Sequence, residues 1–207
     1  MTVHNSLTTL VGSRICHDLI NPLGAISNGV ELLSMTPGAG GPEIALISES
    51  VEAANARIRF FRVSYGAASA TQVLEDREIS EILAGMSVGA RQSMVWSATG
   101  SHPRNEVRLV FLLIQCLESA MPYGGTIEVT GHKSDWQITG SAETFADLGD
   151  LWGILARGEA PSELAAAHVQ FALAADLEEE MNLSINCNQS ADKIKLTVRA
   201  LPGEGAA

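Results

Sequence analysis

Ser13-Arg-Ile-Cys-His-Asp-Leu-Ile-Asn-Pro-Leu-Gly-Ala-Ile-Ser-Asn-Gly-Val-Glu-Leu-Leu33 is the stretch that decides how the rest of the chain folds. Taken as one helix over 7–35, at about 100° per residue, it lines up Val11, Ile15, Leu19, Pro22, Ile26, Val30 and Leu33 on a single stripe. That stripe is the face predicted to be buried. His17 lies roughly opposite its centre, so the imidazole is predicted to face solvent. Around it at helical spacing stand Ser13, Arg14, Asn21, Gly24, Asn28 and Glu31, with Asp18 adjacent in sequence. Pro22 follows five residues later, inside the helix. It removes one backbone hydrogen bond and crowds the carbonyl of Asp18, at a cost of roughly 3 kcal/mol that calls for a reason.

A net charge of −11 opposes nonspecific binding to nucleic acid or to an anionic membrane, which leaves a protein as the expected partner. The chain holds 46% hydrophobic and 18% charged residues, an ordinary balance for a soluble globular protein. No apolar run is long enough to span a bilayer. The N-terminus Met-Thr-Val-His-Asn-Ser lacks both a basic flank and an apolar core, so no signal peptide or anchor is expected and the predicted location is cytoplasmic. Cys16, Cys116 and Cys187 are odd in number, widely separated and without ligand spacing. Neither a disulfide framework nor a metal site follows from them, and Cys16 is predicted to be a small packing residue.

The breakers Thr36-Pro-Gly-Ala-Gly-Gly-Pro42 close the first helix. A second is predicted from Glu43 to about Ala68, where Ile47, Val51, Ala54, Ile58, Phe61 and Tyr65 form a heptad-like seam. Two such helices make only a hairpin with a wet seam, and a second copy would cover it by closing a four-helix bundle, so a homodimer is inferred. Arg57, Arg59 and Arg62 add positive charge to this helix of an acidic protein. Ala67–Gln72 is small and polar and reads as a linker between units at 1–70 and 77–207.

Beyond it the pattern is mixed. Helices are predicted at about 79–93, 104–121, 143–157 and 161–180, and strands at Met94–Ala98, Thr126–Thr130, Trp136–Thr139, Leu183–Cys187 and Lys193–Arg199. The predicted fold class is α+β, with helices on one face of a largely antiparallel sheet.

His17-Asp18-Leu19-x-x-Pro22-Leu23 resembles the H-box of histidine kinases, in which the histidine is the phosphoacceptor and the proline bends the helix just past it. The hairpin likewise resembles the dimerising hairpin of those proteins, and the second half, by order of elements, their ATP-binding domain. The chemistry of that half departs from the family. Counting back six residues from Pro122 of Met121-Pro-Tyr-Gly-Gly125, where such domains carry a magnesium-binding asparagine, reaches Cys116. Ile138-Thr-Gly-Ser-Ala-Glu-Thr144 stands in place of the Asp-x-Gly-x-Gly adenine pocket, and no glycine-rich lid precedes Ala165-Ala-Ala-His-Val-Gln-Phe. An H-box hairpin joined to a degenerate kinase ATPase-like sandwich is similar to the ChpT family of histidine phosphotransferases.

That resemblance implies a phosphorelay transferase which accepts a phosphoryl group on His17 from a receiver-domain aspartate and passes it to another. Its partners would be the receivers of a hybrid histidine kinase and of response regulators. Asp18, Asn21 and Arg14 complete the candidate catalytic set, while Leu10, Ser13, Gly24 and Asn28 are the candidate docking residues. Neutral imidazole is a competent nucleophile near neutral pH, and a neighbouring carboxylate can fix its tautomer. No cofactor or metal of the chain's own is expected, with Mg²⁺ supplied by the partner receiver. His4, His102, His132 and His168 are assigned structural or simply exposed places. Two alternatives stay open at this point: an ATP-dependent kinase core, and a noncatalytic dimeric adaptor that binds a receiver.

Overall fold

The computed structural model describes residues 2–35, 41–67, 69, 71–157 and 164–201. Helices α1 (Thr2–Met35) and α2 (Pro42–Ser64) pack as a hairpin. α1 continues through Pro22, whose ring is buried, and α2 opens on Pro42, where a missing N–H is harmless. The breaker run falls largely on 36–40, outside the described residues.

The buried stripe of α1 departs from expectation at one position, and the seam of α2 is left partly open within one chain. On α1, Pro22 is buried and Val11, Ile15, Leu19, Ile26 and Leu33 are half-buried, but Val30 is exposed. On α2, Ala54 and Phe61 are buried, Ile47 and Tyr65 half-buried, and Val51 and Ile58 exposed. The physical reason is that α2 is apolar on two sides. One side carries Phe60, Phe61 and Val63 into the core. The other presents Ile44, Val51 and Ile58, whose seven-residue spacing drifts only about 20° per step and leaves all three bare. Ile20, Leu23 and Val30 make a similar bare strip on α1.

The rest of the chain builds β1 (Val73–Glu75), α3 (Asp76–Ser87), β2 (Gln92–Trp96), β3 (Ser101–Pro103), α4 (Arg104–Ala120), β4 (Gly125–His132) and β5 (Asp135–Ser141). After these come α5 (Leu151–Arg157), a 3₁₀ turn (Ala166–His168), α6 (Val169–Glu180), β6 (Leu183–Gln189) and β7 (Lys193–Ala200). β1 and β3 pair as a short ribbon, and the other strands form one sheet in the order β2-β4-β5-β7-β6. Among the described strands only the β2/β4 pair is parallel. Period-two burial puts Ile127 and Val129, Trp136 and Ile138, and Ile194, Leu196 and Val198 on one face. α4 lies against that face. At Gly140 a Cβ would come within 2.8 Å of Met121 Sδ and 3.3 Å of Leu117, so glycine lets the helix approach. The molecule is thus α+β, a helical hairpin followed by a mixed, largely antiparallel sheet with helices.

Besides α2, which ends at Ser64 and not near Ala68, and α3, which ends at Ser87 and not near 93, two expected helices are shorter than predicted. Residues 143–150 are irregular because the Asp147 carboxylate accepts the Gly149 amide at 2.8 Å, closing a local turn before α5 begins. The second starts as the 3₁₀ turn at Ala166, and 161–163 lie outside the described residues.

α4 also fastens the two halves together. Phe60 of α2 stacks on Phe111 at 4.6 Å with rings 10° from parallel. Arg104, buried in the first turn of α4, donates to the carbonyls of Arg62 and Ala67 and to Gln72 Oε1, and its own amide donates to the Gln72 carbonyl. Arg108 adds a bond to the Ser64 carbonyl at 3.1 Å. These guanidinium groups satisfy the orphan carbonyls at the negative end of α2. The segment read as a linker is therefore tied down at Ala67 and Gln72.

Candidate functional site

His17 sits on the exposed side of α1, with 81% of its side chain accessible. Helical geometry alone accounts for this, since the stripe it opposes packs inward. Its Nδ1 lies 3.1 Å from Asp18 Oδ1. A carboxylate can only accept, so this contact makes Nδ1 the protonated nitrogen. Nε2 is left toward solvent with no partner among the described residues.

Asp18 and Arg14 do not share that exposure. Arg14 Nε donates to Asp18 Oδ2 at 2.8 Å, the two side chains being 16% and 13% accessible. The spacing of four residues brings them one above the other, and both turn from the solvent face toward the second half of the chain. Asn21, Ser13, Gly24 and Asn28 are exposed on α1, and Leu10 is half-buried. The space where a Gly24 Cβ would stand is open. Cys16 is exposed within the chain, not the packing residue expected, on the same strip of α1 as the bare Ile20 and Leu23.

A cleft of about 340 Å³ runs beside His17, between the hairpin, the C-terminal end of α4 and the 3₁₀ turn. It is lined by Arg14, Asp18 and His17 from α1, Arg57 from α2, Glu118 from α4 and His168. Arg57 is half-buried here, while Arg59 and Arg62 are exposed. Burial drives the Glu118 carboxyl up to about 7 against the opposing pull of the Arg14 and Arg57 cations. Burial, with the Arg14 charge, holds His168 below the usual histidine range. Arg57, Glu118 and His168 were not among the site residues expected from sequence. The one signal for Glu118 is an acidic residue directly after the mostly apolar run 109–117.

Glu118 gives the site a pH signature. Its folded value lies above the ordinary 4.5, so the stability it contributes as a neutral acid is full below about 4.5 and is lost as pH rises toward 7. Glu118→Gln keeps the neutral shape. The Tm of this variant relative to the unsubstituted protein should therefore rise between about pH 5 and pH 7.5, and a difference that does not change with pH would contradict the assignment.

The remaining histidines stand elsewhere. His102 is fully buried, its Nε2 2.9 Å from Asp76 Oδ1 and its ring edge-on to both Trp96 and Trp136, which also touch each other. His132 is exposed, and the side chain of His4 lies outside the described residues. Cys116 is buried in the core of α4, where desolvation raises its thiol well above the ordinary value. No described helix is long and apolar enough to cross a membrane.

Comparison with known proteins shows the family to which the chain belongs. The family model "Histidine phosphotransferase C-terminal domain" matches residues 76–193, more than half the chain. Protein phosphotransferase ChpT of Brucella abortus (strain 2308) is 32% identical over 197 residues, which cover 91% of this chain and 92% of that protein. A solved bacterial phosphotransferase, 29% identical, matches with a TM-score of 0.81 over 96% of this chain and 98% of its own. A more distant match is the Acinetobacter baumannii histidine kinase AdeS, 11% identical over 88% of this chain and 95% of its own, with a TM-score of 0.44. With one family model across its second half and a relative matching nearly end to end, the chain belongs to the ChpT-type histidine phosphotransferases.

Proposed function

We propose that this histidine phosphotransferase carries a phosphoryl group between receiver domains on Nε2 of His17, without using nucleotide, and that it works as a cytoplasmic homodimer. The observation that carries the reading is the exposed imidazole whose Nδ1 is engaged by Asp18 while Nε2 faces solvent. In the forward step the Nε2 lone pair attacks the phosphorus of a receiver aspartyl phosphate in line. The N–P bond forms as the P–O bond to the aspartate breaks, its electron pair leaving with the carboxylate. Charge that develops on the ring is balanced by Asp18 through Nδ1–H. Onward transfer to a second receiver is the reverse. Mg²⁺ in the receiver's acidic pocket would neutralise the phosphoryl oxygens, so the transferase supplies position and shape.

Asn21, one turn past His17, can donate its amide to a phosphoryl oxygen. Arg57 offers a cation from the facing helix. Leu10, Ser13, Gly24 and Asn28 form the docking face around them, and the open space at Gly24 lets a partner helix come close. Burial of Cys116, at the position where kinases of this architecture place a magnesium ligand, supports a reading without nucleotide.

The bare strips Ile20, Leu23, Val30 and Ile44, Val51, Ile58 support dimerisation, since two hairpins would cover them in one bundle. Ile58→Asp places an unpaired charge in that interface. In sedimentation the variant should run as a monomer at concentrations where the unsubstituted protein is dimeric, and an unaltered dimer would move the interface elsewhere.

The test of function is incubation with a purified phosphorylated receiver. Acid-labile label should appear on His17. A protein that takes none is an adaptor, and label gained from ATP and Mg²⁺ without any receiver would make it a kinase.

A further inference from the structure

Arg14 makes two bonds that belong to different parts of the molecule. Its Nε holds Asp18 Oδ2 at 2.8 Å, and its Nη1 donates to the carbonyl of Ala167 at 2.6 Å, 153 residues away in sequence. Ala167 lies in the 3₁₀ turn that opens α6, and its carbonyl is itself fixed from below. Gln170, with no accessible surface, donates Nε2 to that same carbonyl at 3.1 Å and to Ser119 Oγ of α4 at 2.9 Å. The Ala167 oxygen is thus an anchored acceptor on the core of the C-terminal domain. At the other end, Asp18 uses its second oxygen, Oδ1, for His17 Nδ1 at 3.1 Å.

We propose that Arg14 is a positioning residue through which the C-terminal domain sets the tautomer and direction of the His17 imidazole. The inference rests on His17 as phosphoacceptor and gives the degenerate domain a part in the chemistry. A carboxylate beside histidine on an open helix can rotate about its χ angles and release Nδ1. Asp18 cannot do so freely, because a planar guanidinium that reaches both Asp18 and a fixed carbonyl locks the carboxylate plane. The arrangement is a second layer that orients a reacting group, as outer partners orient metal-bound histidines. It also explains why a domain with Cys116 buried where a magnesium ligand would stand still packs against the hairpin beside the reactive side chain.

Lysine keeps the charge of Arg14 but presents one nitrogen instead of a fork, and glutamine removes the charge as well. Arg14→Gln and Arg14→Lys are therefore compared with the unsubstituted full-length protein by two readouts. The first is the ¹⁵N shifts of the His17 ring. The Nδ1–H tautomer, which free histidine disfavours, should dominate in the unsubstituted protein, shrink in Arg14→Lys and give way to Nε2–H in Arg14→Gln. The second is the rate of His17 phosphorylation by phosphoramidate, a small donor that needs no docking surface. At saturating donor it should fall about tenfold in Arg14→Gln, with a smaller loss in Arg14→Lys and the thermal transition held in both. An unchanged tautomer in Arg14→Gln overturns the proposal, as does an unchanged saturating rate. If the unsubstituted protein takes a phosphoryl group neither from phosphoramidate nor from a phosphorylated receiver, the phosphoacceptor assignment fails instead, and the ring shifts still decide whether Arg14 orients the imidazole.

Discussion

His17→Ala reduces phosphoryl acceptance from a phosphorylated receiver to background, a loss of at least about a thousandfold, and leaves the fold unchanged. The chemistry has no substitute, because the nucleophile is a single ring nitrogen and the other histidines described are buried, half-buried or on another face. The fold is indifferent because 81% of the side chain is accessible and, among the described residues, its side chain bonds to the neighbouring Asp18 alone. Label transfer and a thermal melt on the same preparation check both halves. A variant that still accepts label at another site, or one that loses its transition, would refute the assignment of His17.

The second large effect is on stability. Phe60 has no accessible surface and stacks on Phe111 at the junction of hairpin and sheet domain. Phe60→Ala removes about 3–5 kcal/mol by lost burial and the cavity left behind, which for a chain of this length lowers Tm by roughly 10 °C or more. Calorimetry measures it directly. A shift of a degree or two would mean that the junction adds little to the fold.

The features most legible in the sequence were those with a regular period. The position of His17 on the outer side of α1 followed from the residues opposite it, and the alternation in β5 and β7 marked them as strands, though not the order β2-β4-β5-β7-β6 or the β1/β3 ribbon. Val51 and Ile58 show what periodicity leaves open. A heptad seam says that these residues share a side of α2 without saying whether that side meets α1 or stands bare, and within one chain it stands bare. Asp147 illustrates a different failure, in which one side-chain bond to the Gly149 amide delayed the start of a helix that composition would have permitted. The Arg14 contact with Ala167 was illegible in principle. A backbone carbonyl has no residue type, and no local spacing links positions 153 apart. Glu118 and His168 entered the site for the same reason, carried there by the packing of α4 and α6 against the hairpin.

The bonds from Arg104 and Arg108 to the last turn of α2 bear on the thermodynamics of association. Two bodies on a slack tether lose relative translation and rotation when one ligand grips both, and that entropy subtracts from affinity. Here the freedom has already been lost when the chain folds. A protein that touches α1 and the 3₁₀ turn together meets one preorganised surface, so the strength of the complex follows from the contacts made and not from the ordering of a hinge. The same rigidity limits induced fit, leaving shape matching largely to the incoming partner.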